Sequence, residues 1–114
     1  MASDLDFAQY VSDQCSGAGL VRTRKMFGEF ALYCDDKVVA LICDNQLFLK
    51  PTEPGRVRLK RVLEGRPYPG AKTYFLIDDE LDNRERLTEL IRATARALPA
   101  PKPKKKKSGR EKNS

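Results

Sequence analysis

A chain of 114 residues with a formal net charge of +6 has room for one domain built on a modest single core. Residues 99–114 hold seven Lys/Arg and one Glu, so the rest of the chain, with fifteen basic and fifteen acidic residues, is electrically neutral; the pI of about 9.4 describes an appendage rather than the folded body. Histidine is absent, which excludes Ser–His and Cys–His nucleophiles, the usual proton shuttle near neutral pH and imidazole metal sites. No other catalytic constellation appears, and the chain reads as a non-enzyme without a cofactor.

Ser3 to Ser16 is predicted to be a helix, capped by Ser3 or Asp4 and acidic in its first turn. Leu5, Ala8, Val11 and Cys15 recur at the spacing of a buried face, and Gly17 and Gly19 end the helix. A strand block follows. Arg22 to Phe27, charged at alternating positions, is expected at a sheet edge, and Gly28 marks a bulge or a close backbone approach. Phe30 to Cys34 and Val38 to Cys43 are expected strands joined by the hairpin loop Asp35-Asp36-Lys37, and Asp44-Asn45-Gln46 turns the chain into Leu47 to Lys50. The middle strands are apolar on both faces, so helices or a partner chain are expected to cover part of each side.

After the break at residues 51–55, Pro54 suits the first turn of a helix, and Arg56 to Glu64 place Val57, Leu59, Val62 and Leu63 on a helical arc. Arg66 to Gly70 is a loop, and Thr73 to Ile77 a further strand. Asp82 is expected to cap the last helix with Glu85 at N3 in a capping box. Leu87, Leu90, Ile91, Thr94, Ala95 and Leu98 make its inner face, and Pro99 ends it. The order α-β-β-β-β-α-β-α specifies a two-layer α+β domain over residues 1–98, with an antiparallel sheet of about five strands flanked by helices.

Cys15, Cys34 and Cys43 form no CxxC pair and read as small buried hydrophobes. The longest purely apolar run, Val38 to Cys43, is far short of a membrane span. The first residues lack a basic region followed by an apolar stretch, so cytoplasmic residence without membrane contact is the expectation. Asp78, Asp79, Glu80 and Asp82 crowd one segment, but no calcium-loop spacing is present and helix capping accounts for acidic residues there. No metal is expected.

The clearest functional candidate is the tail. Prolines alternating with like charges keep residues 99–114 extended and disordered. Lys102, Lys104, Lys105, Lys106, Lys107, Arg110 and Lys112 can neutralise phosphates along nucleic acid without reading bases. Arg56 and Lys60, four residues apart on the expected helix, share a face with Arg61 at its border. They form either a basic surface or the wetted side of an amphipathic helix. Arg22 to Lys25, entering Met26-Phe27-Gly28, is either a contact surface or a protected edge. Tyr33, Phe48, Tyr74 and Phe75 would stack single-stranded bases if they faced outward. A ligand-sized cleft enclosing Lys50, Lys25 or the Asp78-Asp79 pair would favour Lys or carboxylate chemistry instead.

The run Arg24-Lys25-Met26-Phe27-Gly28, the Tyr33-x-Asp35 turn, the apolar strand after it, Leu47-Phe48-Leu49-Lys50, and Tyr74-Phe75-Leu76-Ile77 before an acidic-capped helix together resemble the TfoX N-terminal domain family over roughly residues 5 to 98. The resemblance implies an antiparallel sheet flanked by helices, similar to the type-III secretion chaperone architecture and often dimeric. Named members of that family are regulators of natural competence. They act as co-activators of transcription and carry a second, C-terminal domain resembling a helical nucleic-acid-binding module. Here the Lys-rich tail stands in that place, and Glu29 stands where the family often has a second Gly. The resemblance therefore implies a stand-alone, non-enzymatic regulatory or adaptor domain. It would bind a protein partner, or a second copy of itself, through a surface that includes Arg24, Met26, Phe27 and Gly28, while its tail attracts nucleic acid non-specifically. The alternatives are a nucleic-acid binder reading through its sheet or basic helix, and a small enzyme.

Overall fold

A computed structural model describes residues 4–26 and 29–99 of the chain. Phe27, Gly28 and all seven tail cations lie outside the described residues. The elements are α1 (Leu5–Gln14), four strands β1 (Val21–Met26), β2 (Glu29–Cys34), β3 (Lys37–Cys43) and β4 (Gln46–Leu49), the single helical turn α2 (Glu53–Arg56), β5 (Glu64–Gly65), β6 (Tyr74–Ile77) and α3 (Arg84–Ala97). The six strands form one antiparallel sheet in the order β1-β2-β3-β4-β6-β5. The domain is α+β, as the sequence pattern requires, and β1 is an edge strand.

Local chemistry explains the meander. The β2–β3 and β3–β4 connections are two-residue turns, with Asp35 and Asp36 at φ 52° and 68° and Asp44 and Asn45 at φ 53° and 55°. Both central residues in the left-handed region match the right-handed twist of antiparallel strands, and Asp and Asn tolerate that region better than other side chains with a Cβ. Asp35 also accepts a hydrogen bond from the Leu20 amide at 2.9 Å, tying the entry of β1 to the hairpin.

Three expectations are corrected. Arg56 to Glu64 is not a helix: α2 covers only Glu53–Arg56, capped by the Thr52 hydroxyl, which accepts from the Gly55 amide. Beyond Arg56 the backbone tightens to i→i+3 bonds, Arg58 to Gly55 and Leu59 to Arg56, and the Arg58 guanidinium donates to the Pro54 carbonyl. The chain then becomes sheet, with the Leu76 amide bonded to the Leu63 carbonyl and Glu64–Gly65 paired with β6. Ladder pairing outweighs a weak helical arc there, and it supplies the sixth strand. Asp82 does not cap α3; Asn83 does, accepting from the Arg86 amide at 3.1 Å, while Asp82 accepts from the Tyr10 hydroxyl. Leu5 is 64% exposed, so the buried face of α1 begins at Ala8.

The helices lie on one face of the sheet. Ala8 and Val11 of α1 and Leu87, Leu90, Ile91 and Ala95 of α3 pack with Phe30, Leu32, Ala40, Ile42, Leu47, Leu49, Phe75 and Ile77 in a single core. The last turn of α3 is held by Lys37, whose ammonium donates to the Ala95 and Leu98 carbonyls at 2.7 and 3.1 Å, a favourable place for a cation. Gly55 lets α2 approach α3 closely, since a Cβ there would lie 3.1 Å from the Thr94 hydroxyl. The face away from the helices is the one that the apolar middle strands leave open.

All three cysteines are free and buried. Burial pushes the Cys15 thiol up to about 12 from an ordinary 9.0, with the nearby Cys34 adding to the rise. An unfolded Cys15 therefore loses its proton above pH 9 while the folded one keeps it. The unfolded state binds fewer protons in that window, so folding stability falls as pH rises from 9 towards 12, by at most about 1.4 kcal/mol per pH unit. Urea unfolding at pH 8 and pH 10.5 is expected to show this loss in the natural chain and a smaller loss in Cys15→Ala. Equal losses in both would contradict the assignment.

Candidate functional site

The strand register sorts side chains onto the two faces. On the helix face lie Leu32, Ala40, Leu49 and Phe75 in one row and Phe30, Ile42, Leu47 and Ile77 in another. On the open face lie Arg24, Ala31, Leu41, Phe48 and Leu76, flanked by Met26, Glu29 and Cys43 on one side and Arg22, Tyr33, Val38 and Lys50 on the other. A register shift after Leu32 makes Tyr33 face Val38 rather than Val39. The extra residue places Val39 and Ala40 together in the core while Val38 and Leu41, three apart, both look outward. A regular strand would have turned one of them inward.

A groove of about 720 Å³ runs along this face, lined by Met26, Val38, Leu41, Cys43, Lys50 and Tyr74 and walled by Pro67 and Tyr68 of the loop after β5. The loop sits close because residue 65 is glycine: a Cβ there would lie 3.1 Å from Cε2 of Phe48. Phe48 is thereby buried with β5 close against it, whereas Val38, Leu41 and Tyr74 are only half-covered and Tyr68 and Met26 are 55% and 39% exposed. The volume and the mostly apolar lining are those of a small-molecule site.

Polar groups sit at its two ends. Glu29 is at the β3–β4 turn, where its carboxylate accepts from the Asp44 amide at 3.3 Å. Lys50 is at the other end, its amide bonded to the Val39 carbonyl. The four residue steps from Val39 to Cys43 set the backbone at these ends about 13 Å apart at strand rise. Burial, with a further push from Glu29, raises the Cys43 thiol to about 11. Burial, with Tyr68 and Cys43 nearby, also raises Tyr74. Both groups are therefore neutral at physiological pH.

The chain matches the model of the TfoX N-terminal domain over residues 13–98. It belongs to the TfoX N-terminal domain family. It is also similar, at 49% identity over 108 residues covering 95% of this chain and 94% of the relative, to the "Uncharacterized 12.7 kDa protein in trpE 5'region" of Spirochaeta aurantia.

In this TfoX N-terminal domain the motif residues Arg24 and Met26 stand on the edge strand β1, with Met26 also at the rim of the groove. Phe27 and Gly28 of the same motif lie outside the described residues, as do Lys102, Lys104, Lys105, Lys106, Lys107, Arg110 and Lys112. The suggested basic surface is not a helical face: Arg56 ends α2, while Lys60 and Arg61 lie in the irregular segment after it. Arg61 is turned towards Asp79, 3.6 Å away, and Arg58 towards Glu89 at 3.1 Å. Of the four strand aromatics, Phe75 is in the core, Phe48 is covered, Tyr33 lies under the Arg22 guanidinium at 5.1 Å, and Tyr74 reaches the groove. Among the described residues no group of three or more His, Cys, Asp or Glu is placed to hold a metal ion, and no helix is long and apolar enough to cross a membrane.

The sequence pointed to a ligand-sized cleft at Lys50 only as a condition for Lys chemistry, and the groove does enclose Lys50, though neither Lys25 nor the Asp78-Asp79 pair; Val38, Leu41 and Tyr68 carried no functional signal. A bulge and a loop folding back over the sheet bring them together, and neither leaves a periodic trace.

Proposed function

We propose that this domain is a non-catalytic regulatory adaptor that captures an extended, acidic segment of a protein partner on the free edge of β1, while the basic tail attracts nucleic acid non-specifically. The observation that carries the reading is the edge itself. Six residues of β1 pair only with β2 among the described residues, leaving one side of the strand's backbone to accept an added strand. Arg24 and Lys25 are exposed there without an ion-pair partner among the described residues, and the exposed apolar residues Leu20 and Met26 bracket them. Cations on an edge select acidic side chains on the incoming strand and oppose pairing with a second β1, which would bring like charges together. Family membership supports a regulatory role, and the lack of histidine weighs against catalysis in the groove.

The test is titration of the full chain with two peptides, one alternating Glu and Val and one alternating Lys and Val, followed by amide chemical shifts. The Glu peptide is expected to move the amides of Val21–Met26, and Arg24→Glu/Lys25→Glu is expected to weaken it about tenfold or more at low salt, with the tail unchanged in both proteins. Equal binding of the two peptides, or no effect of the double substitution, removes the reading. A symmetric dimer in native mass spectrometry that Met26→Asp dissociates would put a second copy on this edge instead.

A further inference from the structure

We infer that the groove on the open sheet face is a binding site for a small carboxylic acid, whose apolar body lies along Val38, Leu41 and Cys43 and whose carboxylate meets Lys50. The site meets the β1 edge only at Met26 and stands whether or not that edge captures a partner.

The lining sets the apolar half of the ligand. The groove follows one strand, β3, between the loop wall of Pro67 and Tyr68 and the rim at Met26. Its floor is aliphatic and aromatic, and its two titratable floor groups, Cys43 and Tyr74, are held neutral by burial. An extended hydrocarbon chain about 13 Å long matches the distance between its ends, and burying such a chain against half-covered Val38, Leu41 and Tyr74 removes apolar surface from water on both partners.

The polar part is charge. Lys50 is half-buried, and its ammonium has no hydrogen-bond or ion-pair partner among the described residues. This contrasts with Lys37, whose ammonium is fully engaged at the end of α3. A partly desolvated cation beside apolar walls gains most from an anion that brings its own apolar body. Lys50 is the one cation among the described residues that line the groove, so a second carboxylate at the opposite end would lose its hydration unpaired. The site is therefore selective for a monoacid over a diacid of the same length.

The experiment uses the full chain with decanoate, decanol and decanedioate, each kept below the concentration at which it self-associates. Isothermal titration gives the affinities, and amide shifts give the location. Decanoate is expected to bind saturably and to move the amides of Val38, Leu41, Cys43, Lys50 and Tyr74. Lys50→Met, shown to be folded by its melting curve, is expected to weaken decanoate about tenfold and leave decanol unchanged. Decanedioate is expected to bind more weakly than decanoate. The inference is overturned by any of four results: no saturable decanoate binding, as when a second copy or a peptide already fills the groove; equal decanoate affinity in Lys50→Met; decanedioate binding as well as decanoate; or shifts confined to the lysines of residues 99–114.

Discussion

A chain ending at Pro99 is expected to lose nearly all affinity for duplex DNA, and the full chain to lose its own as salt is raised. The body is neutral and the last sixteen residues hold the entire net charge, so attraction to phosphate is concentrated in Lys102, Lys104, Lys105, Lys106, Lys107, Arg110 and Lys112. Seven cations releasing condensed counterions give a logarithmic salt slope of roughly −6. Raising salt fourfold, from 50 to 200 mM, is then expected to weaken binding by about 10³- to 10⁴-fold. Fluorescence anisotropy with a labelled duplex measures both effects. Unrelated sequences should bind alike, since the Lys run has no residue types suited to reading base edges. If the shortened chain keeps its affinity or prefers one sequence, the body reads nucleic acid and the tail is incidental.

The second large effect separates the two faces of the sheet. Leu32 is fully buried under the helices and Leu41, its near neighbour across the β2–β3 ladder, is half-covered on the open face. Leu32→Ala leaves a cavity in a close-packed core and is expected to cost about 3 kcal/mol, which for a domain this size lowers the melting temperature by roughly 12–24 °C. Leu41→Ala removes the same atoms from a surface that water already reaches and is expected to cost about 1 kcal/mol or less. Denaturant unfolding of both variants makes the comparison. Equal losses would mean that the groove face is covered in solution, and neither the open face nor the ligand site would survive that result.

The parts of the fold that could be read in the sequence are those in which each residue answers to its chain neighbours. The inner face of α3 repeats at helical spacing, and Leu87, Leu90, Ile91, Thr94 and Ala95 are all buried. The two Asp/Asn turns announce themselves because few other side chains accept two successive left-handed residues. The alternating charges of β1 mark an edge, and β1 is one. The segment after α2 misled because Val57, Leu59 and Val62 do fit a helix. What decided it was the bonding of Leu63 and Glu64–Gly65 to β6, partners nine to thirteen residues away. The cap of α3 shifted by one residue for a similar reason, with Asp82 taken up by Tyr10 from the first helix.

The amino-acid order thus determined the class of the fold, the run of strands, the family pattern and the split between a neutral body and a cationic tail, because composition, turn chemistry and periodicity act over a few residues. Only the tertiary structure decided that the sheet keeps one face open, that a bulge turns Val38 and Leu41 outward together, and that Lys50 meets Tyr68 and Tyr74 in one groove. Those relations depend on ladder register and on the close approach of Gly65 in β5 to Phe48, contacts between residues distant in the chain, and no local signal encodes them.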